Sequence, residues 1–498
     1  MTLSSIPENL PVLQVAIPLL AAALCAITKS GKIAWAISTL AVTCSFIIIV
    51  TLYLTIIDVN TISLALGGHK PPHGIEYNID SLNIIILLIV SFIGLLVVLY
   101  SRKSIQHEIK KSKQSMFYSM YLLCFAGLLG IASTNDIFNI YVFIEISSLS
   151  TYTMISLGKD RKSLTAAYSY LILGTIGATF FLIGVGFLYI VTGSLNISDI
   201  AIRLKDIDNM RPVQISFAFI SLGLFMKIAL FPVHIWLTNS YAYAPSAVSS
   251  FLSATATKVM IYVFIRCAYT LYGYEVSFQN MLSSNIIIFL SISGVLFCSL
   301  TAIYQTNVKR LLAFSSVAQI GYIMIAVGIA TESGLATGIM HLSNHALSKC
   351  LLFLSMGCIF YQIGSTRIHD IKGISKQMPY TCIFFMVGAF SLLGIPGTAG
   401  FISKWYLLNS LIEINNWLVF IIIIISSMLA IIYIWKVVDS IFFGELPKKH
   451  KNVKEAPLSM LIIMFILAFS NIYFGFETDL TAGLAKTAAN NLYSGVLN

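Results

Sequence analysis

The sequence predicts an all-α polytopic membrane protein of about 14 transmembrane helices, and three observations predict it. The 498 residues are 58% hydrophobic and only 10% charged, where a soluble domain is about 25% charged. Apolar runs of about 20 residues recur from end to end, each long enough to cross roughly 30 Å of hydrocarbon as a helix. The runs are continuous rather than alternating. Lipid offers backbone groups no partners, so helices and closed barrels are the spanning choices, and the absence of alternation excludes the barrel.

In chain order the spans are expected at about 10–28, 33–57, 81–100, 116–134, 137–157, 164–192, 213–236, 244–273, 283–305, 311–330, 336–363, 378–412, 416–443 and 457–476. Loop charge checks the count. Loops after odd-numbered spans hold 19 of the 30 Lys and Arg residues, among them Lys110, Lys111, Lys113, Lys159, Lys309 and Arg367. Even-numbered loops and the two tails hold five: Lys70, Arg203, Lys205, Arg211 and Lys486. This asymmetry puts the odd loops in the cytoplasm and both termini on the other side. A span missed in mid-chain would scramble the alternation.

The same pattern accounts for the formal charge of +10 as a topogenic signal, so no nucleic-acid partner is expected. All eight cysteines fall in apolar segments, with no CxxC pair and no histidines at zinc spacing; they read as small buried hydrophobes. The first apolar run has no charged segment before it and reads as a retained helix rather than a cleaved signal. Loops no longer than about 25 residues leave no room for a soluble catalytic domain. With no GxGxxG and no Walker loop, no nucleotide or redox cofactor is expected on this chain.

Ionisable residues interrupt the apolar spans. A charge at mid-bilayer costs several kcal/mol, which makes each a functional candidate. Glu145 lies in the fifth span, Lys227 in the seventh, Lys258 in the eighth and Lys404 in the twelfth. His341, His345 and Lys349 recur four residues apart in HLSNHALSK, on one helix face. Other readings exist for each. Lys436 and Arg266 stand near span ends and suit snorkelling to the headgroups. Glu145 suits a structural ion pair, and the histidines suit core hydrogen bonds. A metal site is not expected, because the histidines have no HExxH and no adjacent carboxylate. Together the groups fit proton transfer: burial lowers a lysine pKa, a nearby carboxylate raises it, and histidine titrates near neutrality.

Breaks stand beside two of these residues. Pro232 follows Lys227, and Gly394-Ile395-Pro396-Gly397 precedes Lys404; Pro245 opens the eighth span. A proline inside a span frees carbonyls that must find partners or line a cavity. The breaks at Pro232 and Pro396 lie about 165 residues apart, the spacing of a five-helix repeat covering spans four to eight and nine to thirteen. Five is odd, so the second copy is inverted. The expected organisation is residues 1–114 as three leading helices, 115–273 as the first repeat, 283–443 as the second, and 444–498 as the last helix and tail.

At these residues the chain resembles the antiporter-like family shared by Mrp-type multisubunit sodium/proton antiporters and the proton-pumping membrane subunits of NADH-quinone oxidoreductase. The matching stretches are the Glu145 helix, MKIALFPVHIWLTNSYAYAPSAVSSFLSATATKV, NVKRLLAFSSVAQIGY, HLSNHALSKCLLFL and GIPGTAGFISKWYLL, covering roughly residues 115–415. The resemblance implies fourteen core helices with two inverted repeats, and a Glu145–Lys227 input pair. It implies a path through Lys258, His341, His345 and Lys349 to Lys404 at the exit. It also implies a bacterial-type cell (inner) membrane, partner subunits, and protons with sodium as the ions moved. The segments PSAVSSFLSATATKVMIYVFIR and GFISKWYLL look most like the D subunit of Mrp antiporters. A proton-pumping subunit of the oxidoreductase, or of a related hydrogenase-type complex, is the alternative; it would make the chain part of a translocating enzyme without itself being catalytic.

Overall fold

The computed structural model describes residues 9–280 and 283–494, and almost all of them are helical. The helices are α1 (Leu10–Ile27), α2 (Gly31–Val59), α3 (Ser81–Glu108), α4 (Gln114–Ser133), α5 (Ile137–Ser156), α6 (Lys162–Thr192) and the short α7 (Ile197–Arg203). Then come α8 (Arg211–Ile228), α9 (Ile235–Tyr243), α10 (Ser246–Ala254), α11 (Ala256–Ile265), α12 (Ser283–Ile303), α13 (Val308–Gly328) and α14 (Glu332–Ile363). The chain continues with α15 (Pro379–Leu393), α16 (Ala399–Glu413), α17 (Trp417–Phe443), α18 (Leu458–Phe476) and α19 (Leu484–Tyr493).

Every expected span has its helix. Among the described residues twelve helices are long and apolar enough to cross a membrane; α5 and the broken pair α15–α16 complete the expected set. The central helices α4, α10–α11, α13 and α14 are buried nearly all round, whereas α2, α6, α12 and α17 bury one side. Their outer faces present Leu40, Ile47, Ile190, Phe289, Leu418 and Met428, apolar side chains that water would not favour and lipid does.

Polar caps set the helix starts. The Asp80 carboxylate accepts from the Leu82 and Asn83 amides while Asn83 returns a bond to the Asp80 amide, opening α3. Asp136, Asn307, Thr331 and Asn416 do the same work for α5, α13, α14 and α17, satisfying donors that a helix N-terminus leaves free.

Four features depart from the sequence reading. The loop after α2 holds an antiparallel hairpin, β1 (Ile62–Ala65) and β2 (Glu76–Ile79), in the register Ile62↔Ile79; four-residue strands are too short to show a period. The Glu76 carboxylate there gathers Ser63, Asn135 and Asn196, tying three connections together. Arg266 does not snorkel: it is buried and paired with Asp80 at 2.8 Å, with a further bond to Asn83 at 2.6 Å. Lys309, counted as a loop cation, is 3% exposed. The tail, expected to follow the last helix without one of its own, forms α19, whose Ala485, Ala488, Ala489 and Leu492 pack toward α3 and α14.

Candidate functional site: a file of buried ionisable groups

Both expected breaks are present. The chain leaves α8 through Ala229 at φ 63° and restarts at Ile235, with Pro232 between. It leaves α15 through Gly394 at φ 84°, passes Pro396 and Gly397, and restarts at Ala399. A third break was not expected. Thr255, at φ −122° and ψ −56°, separates α10 from α11 without any glycine or proline. Pro245 stands at the junction of α9 and α10, where the eighth span opens.

Each break exposes the C-terminal carbonyls of a half-helix, and a lysine is at each. Lys227 lies in the last turn of α8. Lys258 donates to the Ser253 carbonyl near the end of α10. Lys404 donates to the Leu392 and Leu393 carbonyls at the end of α15, both at 3.0 Å. A helix C-terminus carries partial negative charge, so each site favours a cation without supplying a full counter-charge.

At the first of these breaks Glu145 supplies a full counter-charge. Its Oε1 lies 3.7 Å from Lys227 Nζ, which donates to Ser148 Oγ at 2.9 Å. A void of about 10 Å³ lies beside Lys227, lined by Ser148, Thr151, Ala256 and Met260, about the room one water occupies. Its wall at Ala256 and Met260 belongs to α11, the helix that carries Lys258.

Farther along, Lys349 donates to the Leu312 carbonyl at 2.9 Å and to Ser315 Oγ at 2.5 Å. The His341 and His345 rings are nearly parallel, 7° apart with centroids 6.1 Å apart. His341 Nδ1 meets Ser403 Oγ at 2.8 Å, and its Nε2 meets Gln319 Oε1 at 3.0 Å. His345 is 2% exposed, and neither ring nitrogen has a hydrogen-bond partner among the described residues. Lys258, Lys349, His341 and Lys404 all lie within electrostatic reach of it. Lys404 also stands over the Tyr322 ring at 5.3 Å.

From His341 a polar path continues one turn along α14, where Thr337 meets Ser410 at 3.4 Å. It opens into a cavity of ≈ 560 Å³ lined by Glu332, Glu413, Tyr406, Asn409 and Lys486, among others. Sequence reasoning missed Ser148, Gln319 and Ser403. Each is an ordinary polar residue inside a quoted motif; only its neighbours across the bundle single it out. Among the described residues no three His, Cys, Asp or Glu side chains converge as metal ligands would.

Residues 134–430 match the family model described as NADH:quinone oxidoreductase/Mrp antiporter, transmembrane region. The chain belongs to this family. That match takes in every residue of the file, from Glu145 to Lys404. Over 421 residues the chain is 37% identical to the N subunit of NADH-quinone oxidoreductase from Desulforudis audaxviator, spanning 82% of this chain and 83% of that protein. Over 486 residues it is 28% identical to the D subunit of the Na(+)/H(+) antiporter from Bacillus subtilis, spanning 97% of each. Among solved structures, a chain of the Mrp complex from Dietzia superposes with a TM-score of 0.89 at 24% identity, covering 100% of this chain and 98% of that one. A chain of the archaeal membrane-bound sulfane sulfur reductase superposes at 0.88 with 27% identity, covering 97% and 98%. The NADH:quinone oxidoreductase/Mrp antiporter fold therefore extends over the whole described chain, the broken helices included.

Proposed function

We propose that the chain is the proton-translocating subunit of a multisubunit sodium/proton antiporter, with protons passing along Glu145, Lys227, Lys258, His345, Lys349, His341 and Lys404. The observation that carries this reading is the Glu145–Lys227 pair, a buried lysine 3.7 Å from a partly exposed carboxylate, a separation that leaves the lysine able to exchange one partner for another. Proton loading of one group changes the field at its neighbour, and in a low-dielectric interior that coupling is strong. The end-to-end likeness to the antiporter D subunit, covering 97% of both chains, favours the antiporter.

Two five-helix repeats, over residues 115–273 and 283–443, account for the corresponding breaks at Pro232 and Pro396. In this reading the basic loops face the cytoplasm and both termini face outward, following the 19-to-five asymmetry of loop cations. The cavity beside Glu413 and Lys486 then opens outward and serves as the exit.

A second reading has a specific observation behind it. The 37% identity to the oxidoreductase N subunit favours a proton pump powered by electron transfer in partner chains. Sealed vesicles containing the assembled complex separate the two. The antiporter reading expects a sodium gradient alone to drive a pH change. A pH change that requires an electron donor and ignores sodium overturns it in favour of the second.

A further inference from the structure

A buried pair outside the file, Glu108 and Lys309, flanks the start of α10. The carboxylate of Glu108, 6% exposed, accepts from Ser104 Oγ at 2.6 Å and from the Ser246 amide at 2.9 Å. The Lys309 ammonium, 3% exposed, donates to Ser246 Oγ at 3.1 Å and the Ala244 carbonyl at 3.3 Å. Both groups line a cavity of ≈ 390 Å³ whose rim carries Lys159, Asp160 and Arg367. All of these elements lie at the basic-loop end of the bundle. Neither residue touches the relay; Glu108 is the last residue of α3 and Lys309 the second of α13, and two charges buried at helix ends where water could have reached them need a reason.

α10 supplies one. Beyond Ser246, hydroxyls recur at Ser250 and Ser253, spacings of four and three that keep them on one face. Ser250 Oγ donates to the Ser246 carbonyl at 2.9 Å, and Ser253 Oγ donates to the Ser250 carbonyl at 3.1 Å. Lys258 then donates to the Ser253 carbonyl. As they stand, Ser250 and Ser253 each hold a backbone carbonyl; a serine hydroxyl both donates and accepts and turns about its bond, so passing a proton requires each to leave its carbonyl and turn toward the next hydroxyl on the face. The break at Thr255 ends this ladder where Lys258 begins. Ser249, on another side of the same helix, bonds to the Tyr241 carbonyl at 2.8 Å and stands outside the ladder.

We infer that the Glu108–Lys309 cavity is the mouth through which protons are taken up from the basic-loop side, and that the α10 serines carry them to Lys258. The inference rests on the proton-translocating reading above and adds the uptake route to it. Glu108 is the collecting group: it takes a proton from the cavity and releases it along Ser246, Ser250 and Ser253.

The test uses vesicles with the assembled full complex, reading initial rates of ion-driven pH change and the amount of the protein incorporated. Glu108→Gln cannot ionise and keeps one acceptor oxygen, for the Ser246 amide, while the Ser104 hydroxyl can turn to accept from the new NH2. It is expected to slow the rate at least about tenfold at unchanged incorporation, and Glu108→Asp to restore most of it. The Ser250→Ala/Ser253→Ala double variant is expected to slow the rate severalfold, while Ser249→Ala does not. Full rates in Glu108→Gln and the double serine variant, alongside an inactive Glu145→Ala, overturn the uptake route and leave the function standing. Full activity in Glu145→Ala as well overturns the function itself. Should Glu108→Gln fail to incorporate, Glu108→Asp and the serine variants decide the route on their own.

Discussion

Lys227 Nζ stands 3.7 Å from Glu145 Oε1 but donates its hydrogen bond to Ser148, at 2.9 Å. The ammonium is held between a charge and a dipole, committed to neither. Removing the dipole should commit it: Ser148→Ala is expected to draw Lys227 onto Glu145. A hydrogen bond to a charged group contributes about 1.5–3 kcal/mol, so the transport rate should fall roughly ten- to hundredfold. Vesicle rates at matched incorporation check this.

Gly394 couples backbone conformation to Lys404. At φ 84° it tolerates what an L-residue does not, and a Cβ there would meet Lys404 Cδ at 2.8 Å. Gly394→Ala should cost about 1–2 kcal/mol of stability for the left-handed residue and also displace the ammonium from its carbonyls. Gly193 is the control, since it has φ 66° with nothing within 4 Å of its Cβ. Gly193→Ala should lose similar stability in thermal melts yet transport normally, while Gly394→Ala does not.

His345 separates function from stability. With neither ring nitrogen bonded among the described residues, the ring brings the desolvation penalty of a buried polar group without a compensating bond. His345→Leu should therefore match or exceed the native melting temperature while transport falls sharply. Lower stability together with unchanged transport would mark the residue as structural.

Asp80 and Arg266 give a pH-dependent stability. Burial alone would raise the Asp80 carboxyl, but Arg266 and the Asn83 and Leu82 amides outweigh it and hold the group below its ordinary value. A depressed carboxyl contributes stability above its unfolded pKa, about 3.9, and loses it as pH falls through the folded value. Asp80→Asn leaves Arg266 buried and unpaired, at a cost of about 3–5 kcal/mol. Melts should show that gap constant from neutral pH down to about pH 5 and closing below the ordinary carboxylate range.

Much of this was legible in the sequence, for reasons particular elements make plain. The spans follow from hydropathy, and the breaks at Pro232 and Pro396 follow from residues that cannot continue a helix. His341, His345 and Lys349 share a face by spacing alone. What stayed hidden depends on partners far away in the chain. Arg266 meets Asp80 across 186 residues, so its position near a span end misdirected the reading. Lys309 sits one residue into α13 and looks like a loop cation until Ser246 and the Ala244 carbonyl take up its ammonium. The break at Thr255 carries no glycine or proline to announce it. Gln319 and Ser403 gain meaning only from the His341 ring between them.

The central claim is that protons pass through the buried file, and the pair at its start tests it most directly. Glu145→Ala and Lys227→Ala, each in the assembled complex in sealed vesicles, are expected to abolish ion-driven pH change while the protein remains incorporated. Full rates in both variants would contradict the account.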